Sequence, residues 1–388
     1  MYNFEELLNR NNNGSMKWNI DYIRKRFPET PEIFYPFFIA DMDYKLPEEI
    51  LDSFNKFIQE GDFGYFNIQS TFNESIINWY KNIYNINIKE EWLMAGIGTI
   101  TTIKFSLSAL LNKGDGVVVF TPVYGPFRDV VNSSELNLIQ ENLILDGEEY
   151  KIDFDSLEKT IKEKNIKSIL FCNPHNPSGR VWRRDELNRI VEICKENSLL
   201  LIGDEVHSDL TLDGEFISLA TFFDEYENIL ISSSPNKSFN LAGLNASYLL
   251  CADGENYKKI ALELSKNKLS PNRIGINFLT ICYTHGARWV KELKINIIEN
   301  INLAKKILEN SEVEVITPKA GYLLWVKLNK VSDIDVFTKD LAKNTGVLLE
   351  PGSRFVANYD GYVRINLATS KEKIKNGLEE FVKYYDNI

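Results

Sequence analysis

Between residues 115 and 250 short apolar runs recur at intervals: Val117 to Phe120, Ser168 to Cys172, Leu199 to Ile202, Ile229 to Ser232 and Ala246 to Leu250. Helical or loop segments separate them. Strands that alternate with helices predict a mainly parallel α/β sheet covered on both faces. In such sheets a ligand sits beyond the carboxyl ends of the strands. Polar residues fall at just those ends: Tyr124 after the first run, Asn173 and Asn176 after the second, Asp204 and His207 after the third, Lys237 after the fourth. Four strand ends meeting in one place predict a single polar site.

Lys237 is the most informative of these residues. It lies in Ser232-Ser233-Ser234-Pro235-Asn236-Lys237-Ser238, among small and hydroxyl residues with no other charge. A lysine desolvated at a strand end loses part of its preference for the charged form and can act as a nucleophilic amine toward carbonyls. An ordinary loop lysine has the same local sequence, so the other groups of the site decide. Gly96-Ile97-Gly98-Thr99 precedes a helical stretch through Leu111, with Ile100, Ile103, Leu107 and Leu110 at helical spacing. Free N–H groups and the helix dipole favour an anion there, so this turn is either a phosphate cradle or a plain helix start.

The bulk composition narrows the function classes. The 388 residues, 44% of them hydrophobic, suffice for one large and one smaller core. A net charge of −11 with dispersed charges argues against a nucleic-acid or anionic-membrane surface. No apolar run reaches the roughly 18 residues of a membrane span, and Met1 to Arg10 lacks the apolar centre of a secretory signal. Cys172, Cys194, Cys251 and Cys282 are widely spaced, which predicts free thiols in a reduced, cytoplasmic setting. Three histidines without a Cys/His cluster predict no metal site.

Residues 1–35 read as an arm, with a turn-rich loop at Asn11-Asn12-Asn13-Gly14. A strand-like apolar run, Phe37 to Tyr44, follows, and Gly61 to Tyr65 reads as a turn exposing an aromatic. A helical stretch from about 275 to Asn310 leads to a second domain. It holds a strand at Gly321 to Val326, a strand and loop at Leu348 to Ser353 and a strand at Tyr362 to Leu367, the last with Arg364 on the face opposite Val363, Ile365 and Leu367. The expected division is an arm with part of the small domain over 1–45, a large domain over 46–285 and a small domain over 286–388.

Asn173-Pro174-His175-Asn176-Pro177-Ser178-Gly179, then Asp204-Glu205-Val206-His207-Ser208-Asp209, Ser234-x-x-Lys237 and a late-strand Arg364 resemble, in order and spacing, the fold type I aminotransferase family. Those enzymes depend on pyridoxal 5′-phosphate. Ala40-Asp41-Met42-Asp43-Tyr44 and Lys237-Ser238-Phe239-Asn240-Leu241-Ala242-Gly243-Leu244 are similar to its cystathionine β-lyase (MalY/PatB) subgroup. The resemblance implies a seven-stranded, mainly parallel large domain with a smaller α+β domain.

It also implies roles. Lys237 holds the cofactor and removes the substrate α-proton; Asp204 keeps the pyridine nitrogen protonated; Asn176 and His207 address the phenolic oxygen; Tyr124 stacks on the ring. Gly98, Thr99, Ser234 and, from a second copy, Tyr65 hold the phosphate, which makes a homodimer necessary. Arg364, supported by Asn173, clamps the substrate carboxylate. The implied reaction is α,β-elimination from an S-substituted L-cysteine, with transamination on the same residues as the alternative. A regulatory protein partner, such as a transcription factor, is a reading of another class that the resemblance leaves open. The chain departs from relatives at Asn236, where a second hydroxyl is common, and at Asn245, where many aminotransferases carry arginine. Phe38-Ile39 replaces a tryptophan-containing version.

Overall fold

A computed structural model describes residues 2–11, 13–357 and 359–388. Asn12 of the expected turn and Met1 lie outside the described residues. The large sheet has seven strands: β1 (Leu93–Gly96), β2 (Gly116–Thr121), β3 (Asn137–Asn142), β4 (Ile166–Cys172), β5 (Leu200–Asp204), β6 (Ile229–Ser233) and β7 (Ser247–Cys251). Their order across the sheet is β1-β7-β6-β5-β4-β2-β3. The pairs from β6 through β3 are parallel, while β7 runs antiparallel to both of its neighbours.

The pleat explains why these runs read as continuously apolar. Val118, Phe120, Ile169, Phe171, Leu201 and Ile231 enter one core, whereas Val117, Val119, Leu170, Leu200, Ile202 and Leu230 enter the other. A strand covered on both faces has no solvent side on which to carry polar residues. The sheet is thereby a rigid platform, and its carboxyl-end loops form one polar region.

A second sheet, β8 (Val313–Ile316), β9 (Leu323–Leu328), β10 (Glu350–Pro351) and β11 (Tyr362–Asn366), is antiparallel in the order β8-β9-β11-β10. The arm forms a separate two-stranded parallel ladder, Tyr35 with Val347 and Pro36 with Leu348, beside this sheet's last strands in sequence.

The structure corrects two expectations. The helical stretch from 275 to 310 is two helices, Arg273–His285 and Ala287–Leu308, broken at Gly286. A side chain at Gly286 would meet the Phe239 ring at 2.2 Å, so the chain needs glycine at this close approach. The run Phe37 to Tyr44 is not a continuous strand; apart from an isolated bridge from Tyr44 to Leu7 and a few backbone bonds, its irregular backbone is held by side chains from several directions.

Candidate active site

A cavity of about 230 Å³ opens where β4, β5 and β6 end. Gly98, Thr99, Tyr124, Asn176, Asp204, His207 and Lys237 all line it. The loop after β6 carries Lys237 into it, and the Lys237 Nζ donates to the Ala40 carbonyl at 3.0 Å. Burial lowers the amine to about 8, and the Arg364 charge acts the same way, with Asp41 and Asp204 opposing. A lysine held there is neutral far more often than one in water.

Asp204 ends β5 and is 3% exposed. It accepts the Val206 N–H at 3.2 Å. Burial raises its carboxyl to about 6, and Lys237 partly offsets this. A buried carboxylate facing a cavity is poised to accept a charged N–H. His207 is also buried; burial, then the Lys237 and Arg364 charges, push its pKa well below the usual histidine value. It is therefore a neutral imidazole with one N–H to donate.

At the other end of the cavity stands the helix Thr99–Leu110. Gly98 caps it at φ +95°, a backbone region that favours glycine. The Gly98 N–H is already given to the Ser247 hydroxyl at 2.9 Å. The first-turn N–H groups of Thr99, Ile100 and Thr101 have no intrahelical acceptor, and all three residues line the cavity. These amides, rather than that of Gly98, are the available anion donors.

Three predicted residues are placed differently from the rest. Ser234 is buried, donating to the Ala246 carbonyl at 2.6 Å and accepting the Asn236 N–H at 3.1 Å, so its hydroxyl is engaged away from the cavity. Tyr65 is fully exposed and lines a separate hollow with Phe63, Ser270 and Pro271. Asn173 lies behind the cavity wall, donating to Glu205 at 3.1 Å and to the Ile217 carbonyl at 2.9 Å.

Arg364, from β11, reaches across from the second sheet. Its Nη1 donates to the Asn176 side-chain oxygen at 3.2 Å and its Nη2 to the Phe38 carbonyl at 3.4 Å, while its Nε is buried without a partner. An unpartnered buried guanidinium N–H is costly unless a ligand satisfies it.

Further residues, to which the sequence assigns no site role, belong to the site. Ala40, Cys172, Asn236, Ala242 and Asn245 also line the cavity. Glu205 sits directly behind Asp204, accepting from Ser218 (2.6 Å), the Leu219 N–H (2.8 Å) and Asn173. Burial raises its carboxyl to about 7. The hydroxyl-rich run Thr99 to Thr102 was the one available hint of the wider anion cradle. All four cysteines are free and buried, and among the described residues no group of His, Cys, Asp and Glu could hold a metal ion. No described helix is long and apolar enough to cross a membrane.

The chain is 31% identical to cystathionine β-lyase PatB of Bacillus subtilis over 383 residues, covering 97% of this chain and 98% of the relative. The fold of cystalysin from Treponema denticola, a structure containing pyridoxal 5′-phosphate, superposes with a TM-score of 0.95 at 28% identity, covering 100% and 99% of the two chains. A pyridoxal-phosphate-bound C–S lyase from Staphylococcus hominis superposes at 0.91 with 29% identity, covering 100% and 98%. The family model for aminotransferases of class I and II matches residues 37–381. Matched from the segment before Ala40 to the last helix, the chain belongs to the class I and II aminotransferase family.

Proposed function

We propose that this protein is a pyridoxal 5′-phosphate enzyme that splits the C–S bond of S-substituted L-cysteines, L-cystathionine among them. The products of such an α,β-elimination are pyruvate, ammonia and a thiol. The observation that carries the reading is the meeting of a depressed lysine amine, a buried acid and an incompletely paired arginine around one cavity. The likeness to cystathionine β-lyase PatB and to the C–S lyase of Staphylococcus hominis supports the choice of bond.

The residues fit the cofactor. Asp204 offers an acceptor to a protonated ring nitrogen, the Thr99, Ile100 and Thr101 amides face a phosphate, and the cavity lies between them. When bound, pyridoxal phosphate supplies the carbonyl that captures the substrate amine and a ring that takes up electrons from the α-carbon.

The chain's own groups do the rest. Lys237 would hold the cofactor carbonyl and supply the amine base for the substrate α-proton, a role eased by the burial that lowers it to about 8. Asp204 keeps the ring nitrogen protonated. Arg364 has only donors, so Asn176 presents its oxygen to Arg364 and its NH2 to the cavity, where it meets the phenolic oxygen together with His207. Tyr124, in the cavity wall, would cover a ring face. The Arg364 fork holds the substrate carboxylate through the N–H that lacks a partner. Asn173, fixed by Glu205, supports this end from behind.

We also propose a homodimer in which Tyr65 of one copy reaches the phosphate of the other; its complete exposure beside Phe63 supports this. The buried free thiols suit a cytoplasmic setting. We keep the division at 1–45, 46–285 and 286–388 as a proposal.

Purified protein mixed with L-cystathionine tests the function. Pyruvate and free thiol are expected without any added 2-oxo acid. Product that forms only when a 2-oxo acid is supplied means transamination and overturns the reading.

A further inference from the structure

From Phe38 to Asp43 every backbone carbonyl has a donor. Arg364 serves Phe38, and Asn366 serves Ile39 and Asp41 (2.5 and 2.6 Å). Lys17 also reaches Asp41, Arg10 and Asn240 serve Met42 (both 2.9 Å), and the Leu8 N–H serves Asp43. The segment is pinned from the arm, the second sheet and the Lys237 loop together.

Ala40 is the one of these whose carbonyl takes Lys237. Its carbonyl is shared by the Lys237 Nζ at 3.0 Å and the Tyr322 hydroxyl at 3.2 Å. Tyr322 is 1% exposed, and its backbone is fixed by the Leu367 N–H on its carbonyl (2.8 Å) and the Gly321 N–H on the Leu210 carbonyl (2.9 Å). Burial pushes its phenol far above the ordinary range, so it stays a donor at every working pH. A carbonyl oxygen has two lone pairs. Tyr322 occupies one of them.

We propose that Tyr322 is a positioning residue for Lys237, holding one lone pair of the Ala40 carbonyl so that the lysine amine docks on the other. A base that has taken a proton becomes an ammonium with three N–H donors. With Tyr322 donating to it, the carbonyl oxygen shares its electron density with a second donor and is a weaker acceptor for that ammonium, which disfavours the charged form and fixes the amine's direction. The charged and titratable groups around Lys237 are Asp204 at the end of β5, His207 after it, Asp41 beside Ala40, Arg364 on β11 and Tyr124. Tyr322→Phe replaces none of these groups. The inference rests on Lys237 being the cofactor-binding amine, but not on which bond breaks afterwards.

Tyr322→Phe keeps the ring and its packing and removes the hydroxyl. In the full chain freed of cofactor, acetylation of Lys237 against pH is read on its peptide by mass spectrometry. The midpoint should rise by about half to one pH unit. In the holoenzyme, deuterium exchange at the α-carbon of L-alanine needs the base but no leaving group, and its acid limb should move up likewise with KM unchanged. Site-specific 3-fluorotyrosine at position 322, a stronger donor, should move both midpoints down, and it decides the matter if Tyr322→Phe does not fold. Midpoints within about 0.2 pH unit of wild type overturn the proposal. Undiminished α-exchange in Lys237→Ala would instead sink the assignment of Lys237 itself, and failure to form pyruvate from L-cystathionine would touch only the lyase reading.

Discussion

The Arg364 guanidinium donates to the Asn176 side-chain oxygen at 3.2 Å, joining the second sheet to the loop after β4. One contact therefore orients both the group assigned to the substrate carboxylate and the group assigned to the cofactor's phenolic oxygen. Arg364→Ala should lower kcat/KM for an amino-acid substrate by about 10- to 150-fold, the loss of a charge-assisted pair. Arg364→Lys should restore only part, since a lysine lacks the fork. Steady-state kinetics with the cofactor absorbance recorded in parallel checks this.

Asp204→Asn keeps the shape at the end of β5 and removes the charge. With the ring nitrogen no longer held protonated, kcat should fall by about 10²- to 10³-fold while cofactor still binds. An unchanged kcat would remove Asp204 from its assigned role.

Glu205 and Asp204 are two buried acids whose carboxyls burial raises to about 7 and about 6. Both values lie above those of an unfolded chain, near 4. The folded, cofactor-free protein thus holds more protons than the unfolded one between those limits. Their contribution to stability is full at low pH and is lost as pH rises through the folded values. Glu205→Gln should flatten the fall in stability between pH 4 and 8 relative to wild type by about 3 kcal/mol, read from urea midpoints across pH.

Gly98→Ala places a side chain at φ +95° at the start of the anion cradle. The conformation costs about 1–3 kcal/mol for a residue with a Cβ, and the first helical turn should shift to relieve it. Pyridoxal phosphate affinity, measured by absorbance titration, should drop, and free phosphate should compete less well.

Asp43 takes Lys17 at 3.0 Å, Arg10 at 3.1 Å and the Trp18 N–H at 2.7 Å, all from the arm. Lys17 is 1% exposed. Asp43→Ala leaves a buried cation with poor compensation and should destabilise the protein by about 3 kcal/mol or more. A lower melting temperature is the expected result, together with weaker docking of the Phe38 to Asp43 segment.

The sequence showed the central strands plainly because β2, β4, β5, β6 and β7 are buried on both faces. The edge strand β3, Asn137–Asn142, does not read as a strand because Asn137, Gln140 and Asn142 are exposed, only Leu138 and Ile139 are apolar, and its buried residue is Glu141. β1 and β8, of four residues each, carry too little pattern to read. Phe37 to Tyr44 misled because an apolar run implies a strand, whereas here side chains such as Asn366 and Asn240 replace a partner strand. Lys237, Asp204 and Asn176 were legible as strand-end residues. Tyr322 and Glu205 were not, because their roles depend on contacts far apart in sequence, such as Tyr322 with Ala40.

The account turns on Lys237 as the residue that binds the cofactor. Borohydride reduction of the purified protein followed by peptide mapping tests this most directly. The predicted result is a single peptide carrying the mass of reduced pyridoxal phosphate on Lys237, absent in Lys237→Ala. A label on a different lysine, or none in protein that retains its visible absorbance, would contradict it.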